Sequence, residues 1–241
     1  MKKFGLEFAS SVRTPMSPNV KLTIDLLGKS VDPSLYRSTI GSLLYLTASR
    51  PDISYSVGVC ARYQANPKES HMTVLKRIIK YVKTTVEFCV WYNKDTSDVL
   101  TGYSNADWVG NADDRKSTWM SKKQNSISLS TAEAEYIAAG SCCTQLLWMQ
   151  KLLHDYCICQ EHLTIYCDNT SAINISKDLV QHSRTKHIEI RHHFIRELVE
   201  DGALTLEFIH IDDQKADLFT KPFSSKHFEF LRQNIGVISM G

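Results

Sequence analysis

The sequence lacks the features of membrane and secreted proteins. No apolar run approaches the roughly 18 residues that a membrane-spanning helix needs, so we expect no membrane partner. The segment Met1-Lys-Lys-Phe-Gly5 has neither the apolar stretch nor the small-residue cleavage site of a signal peptide. The seven cysteines are odd in number and have no paired spacing, which favours reduced thiols in a cytoplasmic or nuclear protein.

The chain also has little net charge, +2 over 241 residues, but the charge is unevenly distributed. Residues 1–100 carry 14 lysines and arginines against 8 acidic residues, whereas residues 101–241 carry 14 against 18. A basic half beside an acidic half suits a protein that grips a polyanion next to a metal site. Two globular modules with unrelated surfaces would produce the same distribution, so charge alone leaves both interpretations open.

Hydrophobic periodicity predicts helices early in the chain and alternating strands and helices later. Residues 1–30 show no persistent period and are predicted to be an irregular lead-in. Apolar residues at three- and four-residue spacing predict helices that begin at Pro33, at Asp52 and at Glu69. Strands are predicted at 99–103, 163–167 and 203–209, with helices near 131–154, 169–177 and 187–200. This alternation is typical of an α/β sheet with helices packed on it.

Four acidic residues stand where strand ends and helix turns can converge. Asp107 and Asp168 follow predicted strands, and Glu135 lies in the first turns of a predicted helix. Asp217 lies in a short helical stretch after the last strand. Taken singly, each is an ordinary capping or helix-dipole residue. Because crowded like charges are tolerable only around cations, their shared context predicts a metal site.

Two cation-rich segments are candidates for contacts with nucleic-acid phosphates. Lys76, Lys80 and Lys83 recur at about one-turn intervals on a predicted helix, and such a row can follow a phosphate backbone. A solvated face of a core-packing helix is the plainer explanation of the same row. The second segment, residues 184–196, contains four candidate cations: Arg184, Lys186, Arg191 and Arg196.

A series of long motifs runs through the second half of the chain. The motifs include Tyr103-Ser-Asn-Ala-Asp-Trp108, Leu129-Ser-Thr-Ala-Glu-Ala-Glu-Tyr136, Ile165-Tyr-Cys-Asp-Asn169, Arg184-Thr-Lys-His-Ile-Glu-Ile-Arg191 and Ala216-Asp-Leu-Phe-Thr-Lys-Pro222. In this order they resemble copia-type retrotransposon Pol polyproteins, and the resemblance covers nearly the whole chain. It divides the chain into the end of a reverse transcriptase core (1–30), a helical thumb- and connection-like region (31–98), a ribonuclease H-like domain (99–224) and a C-terminal tail (225–241). Since the sequence lacks a polymerase palm with its catalytic aspartates, we expect no DNA synthesis by this chain alone.

The resemblance implies an α/β, ribonuclease H-like mixed sheet with flanking helices, preceded by a small, mainly helical connection region. It also implies endonucleolytic hydrolysis of RNA within an RNA–DNA hybrid by two Mg²⁺ ions, for which Mn²⁺ could substitute. Glu135, Asp168 and Asp217 match three of the four metal-binding carboxylates of the family. The implied partners are the hybrid and the reverse transcriptase core of the parent polyprotein. The implied setting is a cytoplasmic virus-like particle, with the nucleus as a second location.

The sequence departs from the family pattern at two places. Asn105 occupies the position of the first metal-binding acid, and Asp107, two residues farther on the same face of a strand, is the candidate to replace it. Between Thr118 and Trp119, about a dozen residues of the family's second-strand hairpin are missing. We expect this loss to expose apolar sheet surface or to force the remaining strands to pair differently. We therefore expect little or no hydrolysis by this chain. A catalytically inactive nucleic-acid-binding remnant is the alternative.

Overall fold

The computed structural model describes residues 6, 10–94, 99–110, 113–114, 116–124, 127–177 and 194–240, and its architecture is mixed α/β. The helices are α1 Pro33–Leu46, α2 Ser54–Ala61, α3 Glu69–Thr84, α4 Thr131–Asp155, α5 Thr170–Lys177, α6 Phe194–Glu200 and α7 Ser225–Asn234. The strands are β1 Phe88–Val90, β2 Thr101–Ser104, β3 Thr118–Trp119, β4 Lys122–Lys123, β5 Leu163–Cys167, β6 Leu204–Phe208 and β7 Val237–Ser239. Short 3₁₀ turns lie at Pro51–Ile53, Ile211–Asp213 and Lys215–Phe219. Within these residues, none of the helices combines the length and the hydropathy that a bilayer crossing requires.

The chain forms two compact units, and each draws on separate stretches of sequence. The first unit comprises Met1–Asn93, Val109–Lys123 and Leu218–Gly241, and the second comprises Lys94–Trp108 and Gln124–Asp217. Because each unit is discontinuous, these limits differ from the expected boundary between residues 98 and 99. They also differ at the expected C-terminal tail, because residues 225–240 form α7 and β7 within the first unit.

The first unit is mainly helical, and its core lies between α1, α2, α3 and α7. α1 begins at Pro33 because Asp32 caps it by accepting a hydrogen bond from the backbone N–H of Ser34. β7 pairs with β1 in antiparallel register, which ties the end of the chain into this unit. The core residues include Tyr36, Ile40, Ile53, Val57, Leu75, Ile78, Tyr81, Phe228 and Leu231. The burial of Phe228 and Leu231 explains why the expected tail is folded.

β3 and β4 form a minimal hairpin within the first unit. Its two turn residues, Met120 and Ser121, both have positive φ, at 41° and 62°. The hairpin contacts α2, where Gly58 permits a close approach: a Cβ atom there would lie 2.3 Å from the carbonyl oxygen of Ser121. In the described part of the chain, β3 and β4 pair only with each other. Residues 118–123, at which we expected a shortened hairpin, therefore form a separate two-stranded sheet.

The second unit is built on a three-stranded sheet of order β2–β5–β6, in which both pairings are parallel. Alternate residues of each strand are buried beneath α4, α5 and α6, such as Ile165 on β5 and Leu206 on β6. The expected mixed sheet is thus parallel throughout in the residues described. The expected antiparallel partner of β2 is not among the described strands of this sheet.

α4 lies close against β2 because β2 carries a glycine at the contact. A Cβ atom at Gly102 would lie 2.6 Å from Cδ1 of Leu146 and 2.8 Å from Sγ of Cys142. Both of those residues are buried on α4. The missing side chain therefore lets the helix pack on the strand and brings the first turns of α4 to the carboxyl end of the sheet.

Candidate metal site

Asn105 and Asp168 meet at the carboxyl edge of the parallel sheet. In the register of β2 and β5, Ser104 lies opposite Cys167, so the next residue of each strand leaves the sheet beside the other. The amide Nδ2 of Asn105 donates a hydrogen bond to Oδ2 of Asp168 over 3.3 Å. Asn105 is buried and Asp168 half-buried. Asp168 therefore lies at the edge that the strand-end rule indicates, and the residue beside it is an amide rather than an acid.

Glu135 reaches the same edge from the first turns of α4. Ser130 caps the helix by accepting from the N–H of Glu133, and Oε2 of Glu133 accepts from the N–H of Leu129. Glu135 is 6% exposed, and its Oε1 accepts a hydrogen bond of 2.9 Å from the backbone N–H of Ala106. The capped helix start therefore fixes a carboxylate against the segment that follows β2.

Glu135, Cys167 and Asp168 offer oxygen and sulfur atoms that all lie within 4.8 Å of one another. The two carboxylates suit a hard divalent cation. Burial, together with the negative charges of Glu135 and Asp168, raises the pKa of the Cys167 thiol to about 12. At neutral pH the thiol is therefore protonated, and it does not add a third anion to the group.

Asp217 is held near the end of β2 but lies outside this group. It is 1% exposed in the turn Lys215–Phe219, and its N–H donates to the carbonyl of Gln214 over 3.2 Å. The fully buried side chain of Gln214 donates in turn to the carbonyl of Ser104, over 2.9 Å. Among the described residues, the atoms within 4.8 Å of one another do not include a carboxylate of Asp217. The glutamine therefore fixes the turn to the sheet without bringing this acid into the cluster.

Asp107 does not join the group either, within the residues described. The expectation that it replaces the missing acid rested on a strand in which Asn105 and Asp107 share one face. β2 ends at Ser104, so the alternation of side chains along a strand does not extend to these positions. Asp107 is half-buried, and the indole of the neighbouring Trp108 donates to the carbonyl of Ser128 over 3.2 Å.

The basic candidates are distributed unevenly. Lys76, Lys80 and Lys83 are half-exposed on α3 in the first unit, and Nζ of Lys83 lies 3.5 Å from the carbonyl oxygen of Leu6. Their predicted role in binding nucleic acid stays a prediction. Three further candidates lie outside the described residues: Arg184, Lys186 and Arg191.

Arg196 is placed differently from the prediction that it faces nucleic acid. It is 6% exposed, and its Nε donates to the carbonyl of Ile175 over 2.9 Å. It also forms a side-chain hydrogen bond with Tyr136, whose pKa is raised by burial. Arg196 therefore joins α6 to α5 and α4 inside the second unit, because its position on α6 faces the core.

Two residues of this site were missed by reasoning from the sequence. Cys167 occupies the third inward position of β5, after Leu163 and Ile165, so its burial beside Asp168 follows from strand alternation. Gln214 has no comparable signal, because its contact with Ser104 joins residues 110 positions apart.

Comparison with known proteins places the chain among transposon polyproteins. It is 34% identical over 259 residues to the retrovirus-related Pol polyprotein from transposon TNT 1-94 of Nicotiana tabacum, a match that covers 99% of this chain and 19% of that protein. It is 38% and 39% identical, over 246 residues each, to the polyproteins from transposons RE2 and RE1 of Arabidopsis thaliana. Those matches cover 96% and 95% of this chain and 17% of each relative, so the chain spans less than a fifth of these proteins. No protein-family model and no solved structure matches the chain.

Proposed function

The chain belongs to the family of retrovirus-related Pol polyproteins of copia-type transposons, and we propose that its second unit is a ribonuclease H-like domain. Its proposed reaction is the metal-dependent, endonucleolytic hydrolysis of RNA within an RNA–DNA hybrid. The reaction is slow in this chain because Asn105 stands where an acid is needed. The proposed protein partner is the reverse transcriptase core of the parent polyprotein.

The pairing of Glu135 with Asp168 carries this proposal. One carboxylate comes from the first turns of a helix and the other from the end of a central parallel strand, and their oxygens lie within 4.8 Å. Two carboxylates held this close, one of them almost fully buried, repel each other unless a cation lies between them. Carboxylate oxygens are the ligands that Mg²⁺ and Mn²⁺ prefer.

The residues present fit one divalent cation, held by Glu135 and Asp168. Such a cation supplies an activated water and stabilises the charge that develops on phosphate. The protein supports it through Ala106, whose N–H orients Glu135, and through the parallel register that aims Asp168 at the same edge. These contacts keep both carboxylates in place before any metal binds.

A catalytically inactive, hybrid-binding remnant is the second candidate, and one contact favours it. The Nδ2 group of Asn105 donates to Asp168, so the position of the first metal-binding acid carries a hydrogen-bond donor that cannot ligate a metal. The two candidates differ in whether the remaining carboxylates still support hydrolysis.

Cleavage of a labelled hybrid distinguishes the two. We expect slow cleavage of the RNA strand in Mg²⁺, no cleavage in EDTA and no cleavage of a DNA duplex. Asn105→Asp should raise the rate about tenfold or more, since it returns a carboxylate to the site. Asn174→Asp, the same chemical change at an exposed position of α5, should leave the rate unchanged. Equal rates with and without metal would contradict the proposal, and hybrid binding without cleavage by either form would establish the inactive remnant.

Hybrid binding should depend steeply on salt if the row of lysines on α3 follows phosphates. Each phosphate contact contributes about 0.9 to the slope of log K against log salt, so replacing Lys76, Lys80 and Lys83 with alanine should lower that slope by roughly 2 to 3. The measurement is hybrid affinity across a salt series without divalent metal. A control with the same loss of charge replaces the exposed lysines Lys21, Lys151 and Lys226. Equal slopes for both triple variants would mean that α3 presents only a solvated face.

A further inference from the structure

We infer that the site at Glu135 and Asp168 binds one divalent cation rather than two. The amide of Asn105 donates a hydrogen bond to Asp168 where a second cation would otherwise be needed to balance charge. The inference rests on the proposed function and deepens it, because it assigns the number of ions that this chain can hold. It concerns a departure of this chain from the two-ion arrangement that the resemblance implies.

The charge of the cluster balances a single ion. Glu135 and Asp168 carry two negative charges, which one divalent cation neutralises. A second cation would leave two uncompensated positive charges in a site where Glu135 is 94% buried, and unbalanced buried charge is strongly unfavourable.

The hydrogen bonds of the cluster also favour a single bound cation. Asn105 donates to Oδ2 of Asp168, and the next residue, Ala106, donates from its backbone to Oε1 of Glu135. Each of these donors occupies a lone pair of the carboxylate that it contacts. Both donors belong to the segment directly after β2. An amide hydrogen and a cation compete for the same lone pairs, so the donors occupy positions that ion contacts would need.

The orientation of the Asn105 amide follows from its neighbour. An ionised Asp168 can only accept hydrogen bonds, so the amide presents its NH₂ group to it rather than its oxygen. An aspartate at this position could not donate at all, and it would place a third carboxylate next to Asp168. That arrangement is tolerable only with a further cation, so the residue at 105 determines how many ions the site requires.

The other two acids do not restore the second ion. Among the described residues, neither Asp107 nor Asp217 belongs to the group whose ligand atoms lie within 4.8 Å. The buried side chain of Gln214 ties the turn before Asp217 to the carbonyl of Ser104, which opposes a shift of that turn. Among the described residues, the group whose ligand atoms lie within 4.8 Å of one another therefore contains two carboxylates.

Counting bound Mn²⁺ tests the inference without reference to activity. Free Mn²⁺ is measured by electron paramagnetic resonance while the full chain is titrated with the metal alone. We expect one ion bound at the site by the unmodified chain, two by Asn105→Asp, and one by the control Asn174→Asp. Circular dichroism verifies that each variant is folded.

The outcomes separate this inference from the proposed function. No bound ion in the unmodified chain would overturn both, since the proposed hydrolysis needs a metal. Two ions in the unmodified chain would overturn the inference and leave the proposed function standing. One ion in Asn105→Asp would also overturn it, because residue 105 would then not set the number of ions. If Asn105→Asp does not fold, the count in the unmodified chain alone still decides between one ion and two.

Discussion

Asp52→Ala lowers the free energy of unfolding of the first unit by about 3–5 kcal/mol, the usual effect of removing one partner of a buried ion pair. The Asp52 side chain is fully buried and that of Arg50 is 5% exposed. The pair is bidentate: Nε and Nη2 of Arg50 donate to Oδ1 and Oδ2 of Asp52 over 2.9 and 2.8 Å. Removing the carboxylate leaves a guanidinium buried without its counter-charge.

The surrounding contacts explain why the unit cannot relax around this loss. The hydroxyl of Tyr81 donates to Oδ2 of Asp52 over 2.7 Å, and Arg50 donates to both the carbonyl and the hydroxyl oxygen of Thr85. Burial and the charge of Asp52 raise the pKa of Tyr81, so its hydroxyl remains a donor. The network joins the turn Pro51–Ile53 to the end of α3, and every member depends on the others.

Urea unfolding followed by circular dichroism measures the effect. Thr85→Val keeps the ion pair and removes the two hydrogen bonds of the hydroxyl, which accepts from Arg50 and donates to the carbonyl of Tyr81. It should therefore be destabilised by about 1–2 kcal/mol. Glu87→Ala, an exposed acid close in sequence, should change stability by less than about 0.5 kcal/mol. Equal stability of Asp52→Ala and Glu87→Ala would mean that the buried pair adds nothing to the fold.

Helices α1 and α3 of the first unit could be predicted because local signals specify them. α1 begins at the predicted Pro33, and α3 covers the predicted helix from Glu69. The role of Asp52 could not be predicted in the same way. Its position after Pro51 is typical of a helix cap. Its carboxylate instead accepts hydrogen bonds from the side chains of Arg50 and Tyr81. Whether such a side chain caps a helix or pairs with a cation depends here on Tyr81 and Thr85 as well, which lie far from it in sequence.

The division into units was only partly predictable for the same reason. The strands β2, β5 and β6 and the helices α4, α5 and α6 follow from their periodicity, and they form an α/β layer. The return of residues 218–241 to the first unit depends on the pairing of β7 with β1 and on the burial of Leu231. The local sequence of a short amphipathic helix such as α7 does not indicate which hydrophobic core it packs against.

The candidate site shows where reasoning from strand ends succeeds and where it stops. Asp168 and Glu135 meet because parallel strands and the helix packed on them share one edge. Asp107 is not part of the described cluster, because β2 ends at Ser104 and the alternation of side chains along a strand does not reach residues 105 and 107. The position of Asp217 depends on Gln214, whose long-range hydrogen bond has no counterpart in the local sequence.

Glu135→Gln weakens the binding of a divalent cation by at least about tenfold and removes the remaining hybrid cleavage. The substitution keeps size and shape, and the amide oxygen of glutamine can still accept the hydrogen bond from Ala106 that holds the side chain. It removes one of the two negative charges that a cation would contact. The loss therefore falls on metal binding rather than on the fold.

Glu133→Gln is the matched control, because it makes the same change two residues earlier on α4. Glu133 is also buried, at 5% exposure, but its carboxylate accepts from the N–H of Leu129 at the helix start and does not belong to the described cluster. Any general effect of losing a buried carboxylate from α4 should appear in both variants.

Calorimetric titration of Mn²⁺ into the unmodified chain, Glu135→Gln and Glu133→Gln tests most directly whether Glu135 and Asp168 form a cation site. We expect Glu133→Gln to bind the ion within about twofold of the unmodified chain, and Glu135→Gln to bind it at least about tenfold more weakly. Equal affinity in all three proteins, or no binding by the unmodified chain, would contradict the account.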